Sequence, residues 1–200
     1  MTTSLDFYFD FSSPYGYLAS EWIDVLAEKY GRAVVWRPVL LGILFKSTGS
    51  APLAQIPLKG AYSLHDFARS ARYLGVDYRQ PTDFPIATHH AARAFYWLAD
   101  RDTSLARKFA RACYRAYFVE DRNISTPQVL HDLADALAVD PAQLSDAVNA
   151  PAYRERLKSE TDLAMQRGVF GSPYFIVDGE PFWGVDRLPQ LEKWLSEGGF

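Results

Sequence analysis

Apolar side chains dominate residues 5–11, Leu-Asp-Phe-Tyr-Phe-Asp-Phe, and predict a strand. The period then changes: Tyr15, Leu18, Trp22, Val25 and Leu26 recur at helical spacing over residues 14–30, and Gly31 ends the run. Residues 33–38, Ala-Val-Val-Trp-Arg-Pro, form a second predicted strand. Strand, helix and strand in this order predict a right-handed βαβ unit with parallel strands. Residues 39–58 are mixed, a short helix over 40–45 and then loop chemistry at Ser47-Thr48-Gly49-Ser50-Ala51-Pro52 and Pro57. From about residue 60 to 168 the spacing is helical almost throughout, in segments near 60–74, 87–100, 103–120, 126–138, 141–148 and 151–167. Past Gly168 the pattern reverts to strands over 173–177 and 180–183, joined by Asp178-Gly179 as a two-residue hairpin turn. A last helix starts near Asp186 and carries Leu188, Leu191, Trp194 and Leu195.

A βαβ unit, a helical block and a ββα unit in that order predict an α/β chain of thioredoxin-like architecture with an all-helical insertion. Residues 1–58 and 169–200 make the thioredoxin-like domain in this reading, and 59–168 the inserted helical subdomain. Composition is compatible: 200 residues, 48% hydrophobic and 15% aromatic, can bury a sizeable core. A formal charge of −3 and the absence of a basic block argue against nucleic acid or an acidic membrane surface as partner. No apolar run approaches the ~18 residues of a membrane helix, and the opening residues lack the pattern of a signal peptide. The expectation is a cytoplasmic protein, and the single cysteine, Cys113, fits a reducing compartment. Cys113 falls in the ladder Leu105, Phe109, Cys113, Tyr117, so core packing is its expected role.

Candidate chemistry concentrates where the first strand runs into the first helix. Ser13, in Ser13-Pro14-Tyr15-Gly16, occupies the predicted N-cap, with Pro14 at the first helical position. A good helix start explains the pair by itself. A hydroxyl beside unpaired N–H groups and the positive end of the macrodipole is also placed to stabilise an anion. Asp10 lies three residues earlier, where a strand-end aspartate commonly bonds nearby backbone. A nucleophilic role for Ser13 needs a base, yet His65, His89, His90 and His131 all fall in the helical block and no Gly-x-Ser-x-Gly elbow is present. The histidines also lack a third ligand at useful spacing, so no metal is expected.

The segments Phe9-Asp10-Phe11-Ser12-Ser13-Pro14-Tyr15, Pro57-Leu58-Lys59-Gly60-Ala61-Tyr62, Phe170-Gly171-Ser172-Pro173 and Trp183-Gly184-Val185-Asp186-Arg187-Leu188 occur in order across nearly the whole chain. Together they resemble the family of 2-hydroxychromene-2-carboxylate isomerases and kappa-class glutathione transferases, which share a DsbA-like thioredoxin fold with a helical insertion. The resemblance implies glutathione as cofactor, a small aromatic substrate and a homodimer. It implies that Ser13 contacts the glutathione sulfur, that Lys59 lies near the tripeptide backbone, and that Ser172 presents its main chain to the cysteinyl unit beside a cis Pro173. Val185 and Asp186 would hold the γ-glutamyl end, although an N-cap role alone also explains Asp186. Ser50 stands where the family usually has asparagine, and Val185 where serine or asparagine is usual, each change removing a side-chain hydrogen bond of about 0.5 to 1.5 kcal/mol.

A serine suits this chemistry. A thiol with a pKa near ~8.5 is only about 3% ionised at pH 7, and lowering it by about two units takes ~2.7 kcal/mol. A hydroxyl donor backed by a helix N-terminus can supply that. Without cysteine at positions 13 and 16 the usual dithiol–disulfide exchange is excluded. Three readings follow: a glutathione-dependent isomerase, a kappa-type transferase, and a non-catalytic module binding a partner along the cis-proline edge.

Overall fold

The structure, a computed structural model, describes residues 4–200. The chain runs β1 (Leu5–Phe9), α1 (Pro14–Lys29), β2 (Val34–Pro38), α2 (Leu41–Thr48), a 3-10 turn (Leu53–Gln55), α3 (Lys59–Leu74), α4 (His89–Ala99), α5 (Thr103–Phe118), α6 (Pro127–Asp135), α7 (Pro141–Asn149), α8 (Pro151–Gln166), β3 (Tyr174–Val177), β4 (Glu180–Trp183), a second 3-10 turn (Val185–Arg187) and α9 (Leu188–Glu197). The strands form one sheet in the order β2-β1-β3-β4. β1 is parallel to β2 and antiparallel to β3, and β3 is antiparallel to β4. This is the DsbA-like thioredoxin fold expected from the βαβ and ββα units, with helices α3 to α8 between them in the chain. No helix among the described residues is long and apolar enough to cross a membrane.

β1 is central, and all five of its residues are buried, because α helices cover both faces of the sheet. On one face Phe7 meets Trp36 edge-on and stacks on Phe175, with centroids 5.1 and 5.5 Å away. Phe9 and Phe11 extend this array to Tyr114 of α5, and Phe9 also reaches Phe95 of α4. The main apolar cluster therefore runs without a break from the sheet into the inserted helices. Cys113 lies inside it, fully buried, and burial pushes its thiol up, away from reactivity. On the other face Tyr8, Tyr174 and Ile176 pack with Leu44, Ala164 and Val169.

Several boundaries differ from the sequence reading, among them the following. The first strand ends at Phe9 rather than residue 11, because the Asp10 carboxylate accepts the Ser12 N–H at 2.8 Å and turns the chain out of the ladder. The helix expected over 40–45 continues to Thr48, where Gly49 at φ 67° closes it in the left-handed region. The Leu53–Gln55 turn had no periodicity to announce it. The last α-helix starts at Leu188, so Asp186 sits within a 3-10 turn and is not its N-cap. The hairpin turn is as expected: Asp178 and Gly179 both have positive φ, 54° and 89°, as a type I′ turn requires.

Candidate functional site

Asp10 organises the junction between β1 and α1. Its carboxylate is buried and accepts the N–H of Ser12 at 2.8 Å, the N–H of Leu41 at 2.8 Å and the Thr88 hydroxyl at 2.9 Å. Ser12 precedes α1, Leu41 is the first residue of α2 and Thr88 is the N-cap of α4. Three helix starts thus converge on one carboxylate. Burial raises its pKa, while the bonds from Ser12, Leu41 and Thr88 pull the other way. No Lys or Arg pairs with it among the described residues, so peptide dipoles and hydrogen bonds carry its stabilisation.

The same residue ties the site together through its backbone. The Asp10 carbonyl accepts the Ser13 N–H at 2.9 Å and the Tyr114 hydroxyl at 3.1 Å, and the Asp10 N–H donates to Ser172 Oγ at 3.0 Å. Ser13 is the N-cap of α1: its extended backbone (φ −92°, ψ 113°) lets Oγ accept the Gly16 N–H at 3.0 Å. The Ser13 hydroxyl donates its own proton to the Ser172 carbonyl at 2.9 Å. The Ser172–Pro173 peptide is cis, as the family resemblance implied, and Phe84–Pro85 is cis as well.

Space is tight at Gly16. A Cβ there would stand 2.7 Å from Ser172 Oγ and 3.0 Å from the Tyr114 hydroxyl, so the cis-proline loop lies directly against the first turn of α1. Gly171 is equally constrained, since a side chain would overlap the Trp183 indole. That indole meets Phe170 with centroids 4.7 Å apart, and the pair braces the loop from β4.

Ser13, Ser172 and Pro173 are therefore brought together. Val185 and Asp186 follow β4, whose last residues adjoin the loop: the Gly184 N–H donates to the Pro173 carbonyl at 3.1 Å. Val185 is buried and its side chain packs in the core, 7% exposed. The Asp186 carboxylate is exposed and pairs with Arg187 at 3.2 Å. Lys59 opens α3 and is exposed, with no ion pair for its ammonium among the described residues. Just before it, Leu58 sits at φ 67° with the Lys59 N–H donating to the Pro57 carbonyl at 2.8 Å, a strained three-residue turn with the Leu58 side chain 94% exposed. Ser50 is exposed beyond α2, where its N–H closes the helix on Phe45; the Ser13 hydroxyl bonds Ser172 and Gly16 instead.

Tyr15, on the first turn of α1, donates its hydroxyl proton to Asp66 on α3. Burial and this carboxylate push the phenol pKa up, with Tyr62 and Asp186 adding smaller effects. Sequence reading did not find this contact; spacing signals residues on one element, and Tyr15 and Asp66 lie on two. The Asp10-to-Ser12 step was the local sign of the carboxylate hub, but its bonds to Leu41 and Thr88 needed the fold. No histidine touches Ser13 among the described residues: His89 and His90 meet ring to ring at 4.2 Å, and His131 Nε2 lies 2.6 Å from Ser145 Oγ. Nor do three or more His, Cys, Asp or Glu side chains among those residues gather as metal ligands do.

Comparison with known proteins bears on these features. A family model described as a DSBA-like thioredoxin domain matches residues 4–196. The chain is 30% identical to a 2-hydroxychromene-2-carboxylate isomerase of Sphingobium xenophagum, over 98% of this chain and 100% of that one. It is 26% identical to glutathione S-transferase kappa 1 of Rattus norvegicus, over 96% and 92%. A solved structure of a 2-hydroxychromene-2-carboxylate isomerase superposes with a TM-score of 0.85 at 26% identity, covering 97% of this chain and 95% of the other.

Proposed function

Because the chain belongs to the DSBA-like thioredoxin domain family and, within it, to the group of 2-hydroxychromene-2-carboxylate isomerases and kappa-class glutathione transferases, we propose that it is a glutathione-dependent isomerase acting on a small aromatic carboxylate. The observation that carries the reading is the Ser13 hydroxyl, fixed at the start of α1 and facing the Ser172 carbonyl beside a cis proline.

The donor set fits a thiol tripeptide. Ser13 offers a hydroxyl for the sulfur, Ser172 offers main-chain groups next to Pro173, and Lys59 offers an ammonium with no ion pair among the described residues for a carboxylate. Val185 contributes backbone only, and Asp186 brings an exposed carboxylate suited to an ammonium group. Ser50 is the outlying member, and its short side chain makes it the weakest contributor. Bound glutathione would supply a sulfur nucleophile for reversible addition to the conjugated substrate, the chemistry that would interconvert a cyclic hemiketal and a trans-benzylidenepyruvate.

Ser13 does the electrostatic work. Its hydroxyl proton, held at rest by the Ser172 carbonyl, turns toward the sulfur, while the Gly16 N–H keeps Oγ in place during that rotation. The start of α1 adds its partial positive charge, and Pro14 leaves no competing N–H at the first position. Asp10 and Tyr114 hold the backbone that presents Ser13. In this reading residues 1–58 and 169–200 carry the sulfur end, and the inserted helices 59–168 shape the substrate side. The kappa-type outcome uses the same site but consumes glutathione; the kappa relatives keep it as the alternative.

Calorimetric titration with glutathione tests the reading: binding is expected below millimolar, and none at millimolar ligand would sink both the isomerase and the transferase. Ser13→Ala should move the thiolate absorbance titration of bound glutathione to higher pH by about one to two units, the scale of one charge-assisted hydrogen bond. An unchanged titration would remove Ser13 from the mechanism.

A further inference from the structure

Helix α3 carries a polar stripe beside its buried one. Gly60, Ser63, Phe67 and Ala71 face the core. Lys59, Tyr62, Asp66 and Arg69 follow at helical spacing and share the adjoining face. Tyr15, on the turn that Ser13 caps, lies against this stripe: its hydroxyl donates to Asp66, and its ring meets Phe67 edge-on with centroids 4.9 Å apart. Asp66 also pairs with Arg69 Nη2, which donates to the Tyr62 hydroxyl at 2.8 Å. The guanidinium lies 5.4 Å from the centroid of the Tyr62 ring. Arg69 is thereby held in one orientation, 49% exposed, with its Nε and Nη1 donors unused among the described residues.

Lys59 and Arg69 are too far apart to serve one anion. Ten helical residues span about 15 Å along the axis, several times the reach of one carboxylate. Asp66, which receives Tyr15, is one turn from Arg69 and two from Lys59, so Arg69 is the stripe's cation beside the start of α1. With Lys59 given to glutathione, an oriented cation remains, with the Tyr62 ring beside it and Tyr15 sharing its Asp66 partner.

We propose that Arg69, braced by Asp66 and Tyr62, is the subsite for the carboxylate of the aromatic substrate, whose ring lies against Tyr15 and Tyr62. This rests on the glutathione reading for its turnover assay but not for its binding assay. A planar acid places its charge on the guanidinium and its apolar face on the tyrosines, which is the pairing that arginine's weakly hydrated, planar cation favours.

The test compares trans-benzylidenepyruvate with its methyl ester, using the full chain with glutathione. Arg69→Gln should raise KM for the acid about tenfold, leave kcat within about twofold, and leave the ester and the calorimetric affinity for glutathione unchanged. Arg69→Lys, which keeps the charge, should recover part of the loss. Equal losses on acid and ester, or an unchanged KM for the acid, would overturn the subsite. Should the wild type fail to bind glutathione, tryptophan fluorescence titration with the acid alone still decides the matter: about tenfold weaker binding to Arg69→Gln supports the subsite, and equal binding overturns it.

Discussion

Asp10 shows how much one side chain can decide. Its carboxylate accepts two N–H groups and a hydroxyl in a site away from water, and its own peptide group bonds Ser13, Tyr114 and Ser172. Replacing it with alanine keeps the peptide bonds but strands the three donors to the carboxylate, each at about 1 to 3 kcal/mol. Asp10→Ala should therefore lose roughly 3 to 5 kcal/mol, seen as a lower urea midpoint at unchanged slope. A loss under about 1 kcal/mol would mean that water replaces the carboxylate. Asp10 was legible in the sequence only as a strand-end aspartate near Ser13. Its local bond to Ser12 follows from residue type and spacing, whereas Leu41 and Thr88 come from 31 and 78 residues away.

At the scale of elements, the long periodic helices and the βαβ and ββα units were readable, because each buries one face and repeats its apolar positions. The Leu53–Gln55 turn and the strained turn at Leu58 were not, since tertiary contacts rather than periodicity define them. The docking of α1 on α3 through Tyr15 and Asp66 falls in the same class, and it has a pH signature. Partial burial raises the Asp66 pKa, but the bonds from Tyr15, Arg69 and Ser70 outweigh it and hold the group below its ordinary range. A depressed carboxyl adds stability above its unfolded pKa of about 3.9 and loses it as pH falls through the folded value. Asp66→Asn should thus be less stable than wild type at pH 6, with the gap closing below about pH 4 in denaturant titrations. A gap that stays constant with pH would show that the carboxylate's charge does not fasten α3. Asp10 has the opposite sign: burial raises its pKa, so its contribution is full below the ordinary carboxyl range and fades as pH rises through the folded value.

Across the whole molecule, chain order suggested two parts, yet the core is shared. Phe7 and Phe9 of β1, Trp36 of β2, Phe95 of α4 and Tyr114 of α5 belong to one apolar cluster, so the inserted helices have no separate interior to unfold from. Far-ultraviolet and near-ultraviolet circular dichroism should follow one coincident thermal transition. Two separated transitions would show that the insertion is held independently. The meeting of Ser13 with Ser172 and Pro173 was anticipated only through the resemblance, because composition alone makes an X-Pro bond trans. The polar stripe of α3 was not legible, because Asp66 and Arg69 gain a meaning only once Tyr15 of α1 docks against them.

Gly16 carries a last consequence. The space a side chain would fill is held by the Ser172 hydroxyl, and that hydroxyl is the acceptor for the Asp10 N–H. A cysteine placed at 16 would push that hydroxyl aside and take the acceptor from the Asp10 N–H, even with a second cysteine in place of Ser13. A dithiol pair at 13 and 16 would therefore need a new position for the Ser172 hydroxyl as well as the two substitutions.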